Sequence, residues 1–329
     1  MEPKLSPFYI STRGSSASEW LAKMLSRHPQ VVCFRSTRGF PPYDPGVGPQ
    51  MSADAFVEGL SECIRATHGE KTFGSVHGYH GVLAKEPCEK RGGIFSYIIR
   101  HPVSRIHSVF IFYLYEDYYK RFGIPVANKD VHDRVCSSIL ADSDLMRYAE
   151  LFEPETSQVS HFDPLKTIKR FTRKVLPDFV INSLIKQTTK GKYVAVLNTS
   201  ETKDAPDERL HASILFPALI NQFFRYDSEL FKGCSTLSYG IKMEEMVKSC
   251  EYFKNHLWQR IAPQLDVTDT YLESIFSGPR FNVHRERALS PDEIWRSWPA
   301  GMKEVFLKYF ECYNLSAVCN AFDYDISFL

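Results

Sequence analysis

The chain has no CxxC pair, no Walker A loop of the form G-x-x-x-x-G-K-[ST], no internal repeat, and no apolar run near the length of a membrane span. Each absence removes a class. Eight scattered cysteines (Cys33, Cys63, Cys88, Cys136, Cys234, Cys250, Cys312 and Cys319) without paired spacing read as free thiols in a reducing compartment, not as a disulfide framework. The start, MEPKLSPFYIST, lacks the charged head and long apolar stretch of a signal peptide, so the expectation is a cytoplasmic chain without stable membrane insertion. Charge of one sign is missing too. Lys and Arg total 40 against 39 for Asp and Glu, which argues against a protein that coats nucleic acid or an anionic surface.

What is present is a rhythm of strand and helix across 329 residues. Short apolar runs at 7–11, 31–34 and 93–100 suit buried strands. Between them the pattern predicts a helix carrying Trp20, Leu21, Met24 and Leu25 on one face, ended by Pro29, and another over 52–68 with Ser52 as its cap. A long helix over 101–122 has Pro102 in its first turn, where proline is tolerated. Residues 71–85 read as extended, with glycines for close backbone approach, and 37–50 as a surface loop. Further on come a strand at 192–201, a helix at 208–226, a strand-to-helix segment at 237–246, and a tail of one or two helices. The stretch 123–190 breaks the rhythm and reads as a helical and loop insertion in one domain spanning 1–329. The fold class is α/β, with a central parallel sheet covered by helices on both faces.

Two segments carry candidate chemistry. Arg13, Gly14, Ser15 and Ser16, followed by Ala17, lie between the first strand and its helix. The N–H groups opening a helix are unsatisfied and favour an anion, small residues admit it closely, and hydroxyls and a guanidinium add donors. The same residues also fit a ligand-free reading, because Ser16 to Glu19 spells the capping box S-x-x-E. The second segment, IIRHPVSRIHSVF (98–110), puts Arg100 at a strand's end, with Arg105 and Ser108 on the helix that follows. The carboxyl end of a parallel sheet is where such folds bind ligands, and an arginine with a hydroxyl there suits a phosphate monoester. The alternative is a strand-end arginine paired with a surface carboxylate.

Strand–RGSS–helix followed by R-x-P-x-x-R-x-x-S after an apolar strand resembles the family of PAPS-dependent sulfotransferases. The resemblance covers roughly 7–35 and 70–115, with Ser15 standing where glycine is usual and Ser16 where threonine is. It implies a P-loop-like, three-layer α/β/α fold and transfer of a sulfuryl group from 3′-phosphoadenosine 5′-phosphosulfate (PAPS), leaving the 3′,5′-bisphosphate. By resemblance, Arg13, Gly14, Ser15, Ser16 and Ala17 would hold the 5′-phosphosulfate, and Arg100 and Ser108 the 3′-phosphate. A basic C-terminal loop would add Arg285 or Arg287, and Glu244 or Glu245 would be structural.

The general base is expected to be His77, with His80 as the second candidate, although Ser75 stands where the family carries a lysine. An H-x-x-H pair also suggests zinc, but no further acid or thiol sits at ligand spacing, and the transfer itself implies no metal. The expected partner is a small hydroxylated or amine acceptor, with the pocket built by 37–50 and 123–190. A carbohydrate or glycolipid acceptor is the alternative within the family. Two readings from other classes stand beside it: a nucleotide-dependent kinase and a non-catalytic nucleotide-binding relative. The sequence does not indicate an oligomeric state.

Overall fold

The computed structural model describes residues 5–13, 17–35, 51–78, 80–141, 143–152, 207–234, 239–277 and 289–329. The predicted loop at 37–50, the strand at 192–201 and most of the insertion after 152 lie outside these residues. The chain packs as two compact units, one of residues 1–100 with 229–283, the other of 101–228 with 284–329.

The first unit is an α/β sheet structure. Strands β1 (Phe8–Ser11), β2 (Val31–Phe34), β3 (Thr72–Val76), β4 (Ile94–Ile99) and β5 (Gly240–Lys242) form one sheet in the order β2-β3-β1-β4-β5. All pairings are parallel. The burial patterns follow position: β1 and β3 are buried at every residue, whereas β2, at an edge, alternates between buried and half-buried.

Helices α1 (Ser18–Leu25), α2 (Ala53–Ala66) and α3 (Lys85–Lys90) connect the strands. Parallel crossovers are right-handed, which puts α1 on one face and α2 and α3 on the other. Tyr271, on the helix Asp269–Phe276, donates to the Met24 carbonyl at 2.9 Å, and Phe276 packs edge-on to Trp20. The predicted Ser52 cap is present, accepting from the Ala55 amide at 3.1 Å.

Residues 71–85 depart from the extended reading. Only β3 is extended, and a 3-10 turn (Gly81–Ala84) leads directly into α3. One glycine does serve close approach: a Cβ at Gly74 would lie 2.2 Å from the Phe8 ring, so the neighbouring strand's side chain fills the space.

The second unit is helical. Helix α4 (Pro102–Leu114) runs into a π-helical turn at Tyr115–Tyr119, so the predicted helix over 101–122 holds for most of its length. The helix predicted over 208–226 extends to Glu208–Gly233 and carries Pro217 in its interior. The tail over 284–313 forms two helices, Pro291–Ser297 and Ala300–Cys312, within the expected one or two, and a third, Leu315–Ala321, follows it. Its core is aromatic, with Phe216 against Phe110 and Trp298 against Phe306. All eight cysteines are free thiols. No helix among the described residues is long and apolar enough to cross a membrane.

Candidate functional site

The strand order locates the site. From β1 the chain crosses to β2 on one side, and from β3 it crosses over β1 to β4 on the other. β1 and β4 are neighbours whose next strands in the chain, β2 and β5, lie on opposite sides of the sheet order. The crevice at such a switch point, outside the carboxyl ends of the strands, is where open parallel sheets bind ligands. In register, Ser11 pairs with Tyr97. Arg13 lies two residues beyond Ser11 and Arg100 three beyond Tyr97, so the two arginines leave adjacent strands at nearly the same level. Both are half-buried. Just before Arg13, Thr12 is 2% exposed, and its hydroxyl has no hydrogen-bond partner among the described residues.

Helix α1 begins at Ser18 with Ala17 as its N-cap residue, in the left-handed region at φ 57°, and no side chain caps it among the described residues. Glu19 meets Lys23 at 3.0 Å and Arg35 at 2.8 Å. An S-x-x-E box forms at Ser290 and Glu293, where the sequence reading made no prediction. At Ala17 the backbone is left-handed. A non-glycine residue there costs about 1–2 kcal/mol. Gly14, Ser15 and Ser16 lie outside the described residues, as do Arg285 and Arg287.

The histidines sit at the end of β3, beside β1. The His77 amide donates to the Ile10 carbonyl at 3.1 Å, extending the sheet ladder by one residue. The His80 amide donates to the Tyr9 hydroxyl at 3.2 Å. The His77 ring lies 5.6 Å from Tyr9, 5.8 Å from Phe56 and 6.0 Å from His80. Tyr9 and Phe56 thus form an apolar wall that orients both imidazoles. Burial pushes His77 down to about 3, helped by the nearby His80, and burial alone pushes His80 down to about 4. Both rings are neutral at physiological pH, the state a proton acceptor needs.

The sequence reading did not single out Tyr9. Its signal was a tyrosine inside a wholly buried strand, since a buried phenol needs a hydrogen-bond partner.

The R-x-P-x-x-R-x-x-S segment divides in its uses. Arg105, fully buried in the second unit, pairs with Asp227 at 2.5 Å, and its guanidinium lies 5.2 Å from the centre of the Phe223 ring. His101 meets the Asp325 carbonyl at 3.1 Å and packs on Tyr324 and Phe328. Ser108 is half-buried on α4, in the second unit, while Arg100 belongs to the first. The His28 ring, just before Pro29, is taken up by packing, 5.0 Å from Trp258 and 5.5 Å from Tyr271.

The first unit therefore carries Arg13, Arg100, the Thr12 hydroxyl and the imidazoles of His77 and His80 at or just beyond the carboxyl ends of the neighbouring strands β1, β3 and β4. Against protein-family models, curated proteins and solved structures alike, the chain finds no match.

Proposed function

We propose that the chain is a sulfotransferase that moves the sulfuryl group of PAPS to a hydroxyl or amine of a small acceptor. The observation that supports this reading is that Arg13 and Arg100 follow adjacent strands at nearly the same level at the switch point, with His77 at the end of β3 on the other side of β1. The residues present fit the donor. Two guanidiniums match a molecule with phosphate-type charge at two places, and the Thr12 hydroxyl can serve one of its oxygens.

The donor supplies an activated sulfuryl group. In this reading Arg13 stabilises the charge that builds on the departing 5′-phosphate, and the loop Gly14–Ser16 adds its donors. Arg100 holds the 3′-phosphate and so distinguishes this donor from other adenine nucleotides. His77 removes the acceptor proton as the new bond forms. Its low affinity for protons is a property of the ligand-free site. An anion bound beside it favours imidazolium and raises its basicity at the moment it is needed. His80, under a weaker downward push, is the alternative base.

The test is incubation with PAPS labelled in the sulfuryl group, together with a metabolite extract, with and without chelator. Transfer that persists in chelator supports the proposal. Binding of the bisphosphate without transfer identifies a non-catalytic relative, and transfer that instead needs ATP and Mg²⁺ identifies a kinase.

A further inference from the structure

The second unit holds a thiol unlike the other cysteines. In the four buried ones, Cys33, Cys88, Cys234 and Cys319, burial pushes the thiol up, to about 12 in Cys88 and Cys319 and about 11 in Cys234. Cys63 and Cys250 are also raised, by burial and then by the carboxylates of Glu62 and Asp269. Cys312 is exposed.

Cys136 is half-buried in the π-helical turn Val135–Ile139, one turn beyond His132 on the helix Val131–Arg134. Its Sγ lies 3.9 Å from His132 Nδ1. On the other side of the same ring, Nε2 faces Asp133 Oδ1 at 3.7 Å. The ring is 5% exposed and is held edge-on by His107, with centroids 4.7 Å apart. Arg134, the next charged group, is turned away into a bidentate pair with Glu208 at 2.7 and 2.6 Å. The arrangement is a thiol, an imidazole and a carboxylate in sequence. The carboxylate favours the tautomer protonated on Nε2, which leaves Nδ1 to face the sulfur, and it steadies an imidazolium once formed.

We propose that Cys136 is a modification site, a thiol activated by His132 that takes up low-molecular-weight disulfides of the glutathione type. His132 Nδ1 accepts the thiol proton, and the Cys136 sulfur attacks one sulfur of the disulfide. That S–S bond breaks, and the departing half leaves as a thiolate with the bonding pair. Cys136 is oxidised to a mixed disulfide while the leaving half is reduced, so the exchange balances without another oxidant. The site is independent of the donor-site reading, because none of its residues belongs to that site.

The test treats the full chain with glutathione disulfide, blocks remaining thiols with N-ethylmaleimide at timed intervals, and reads each cysteine by peptide mass spectrometry. Cys136 is expected to react at least about tenfold faster than exposed Cys312, and His132→Gln to remove that advantage. Asp133→Asn, on an exposed side chain, should slow Cys136 about two- to threefold and move its pH profile upward. Should His132→Gln fail to fold, the wild-type profile and Asp133→Asn decide. A Cys136 rate that holds well below pH ~8.5 supports the pair, whereas a rate falling about tenfold per pH unit, as for an ordinary thiol, overturns it. Equal rates at Cys136 and Cys312, or an unchanged rate in both variants, also overturn it.

Discussion

Replacing Asp227 by alanine tests whether Arg105 serves the fold or the ligand. The Arg105 and Asp227 side chains are 0% and 3% exposed, and Arg105 Nη1 meets Asp227 Oδ1 at 2.5 Å. Removing the carboxylate takes the Asp227 counter-charge from a guanidinium buried among Phe223 and Tyr226. Breaking a buried pair from one side costs about 3–5 kcal/mol, because the remaining charge keeps its desolvation penalty. Removing both charges is different. Arg105→Met with Asp227→Leu replaces the pair by apolar groups, and the double variant should recover to within about 1–2 kcal/mol of wild type.

The assay is urea unfolding followed by tryptophan fluorescence, to which Trp295 and Trp298 contribute from the buried core of the second unit. A functional readout accompanies it: folded Arg105→Met should bind adenosine 3′,5′-bisphosphate as wild type does. A loss below about 1 kcal/mol in Asp227→Ala would refute the buried-pair argument. Abolished nucleotide binding in a folded Arg105→Met would return Arg105 to the ligand site.

Three further outcomes are expected. Burial lowers His80 and His211 from 6.5 to about 4 in the fold, so between these values the unfolded chain holds more protons. Their contribution is fully present above about pH 6.5 and is lost as pH falls toward 4, at up to about 1.4 kcal/mol per unit for each histidine. Urea midpoints at pH 7.5, 6 and 5 should fall in that order, less steeply in His211→Phe, and an identical slope in the variant would refute the assignment. Ala17→Gly should raise stability by about 1 kcal/mol by relieving the left-handed backbone at φ 57°, and a denaturation midpoint that fails to rise counts against strain there. His77→Gln should bind the bisphosphate normally and lose turnover, while His80→Gln keeps most of it; the reverse pattern moves the base to His80.

The strands were legible to within a residue at most ends, because each is a continuous apolar run bounded by turn residues or charge, as in IFSYII before Arg100. Ser52 was legible as a cap because its geometry is local. The left-handed Ala17 and the two cations that Glu19 meets were not legible, because neither follows from the four-residue pattern Ser16 to Glu19.

The strand order was not readable at all. It depends on pairings between segments up to some 140 residues apart, such as Tyr97 with Gly240. Arg13, Arg100, His77 and His80 were found by residue type and by resemblance. That Arg13 and Arg100 share a level on neighbouring strands required the register. Arg105 shows the opposite limit: its spacing in the motif is regular, but Asp227, far along the chain, determines what it does.

The central claim is that the β1 and β4 ends hold a nucleotide carrying two phosphates. The most direct test is calorimetric titration of the protein with adenosine 3′,5′-bisphosphate and with adenosine 5′-monophosphate. The account predicts saturable binding of the bisphosphate, at least tenfold weaker binding of the monophosphate, and loss of that preference in Arg100→Ala. Equal affinity for the two nucleotides, or a preference that survives in a folded Arg100→Ala, would contradict it.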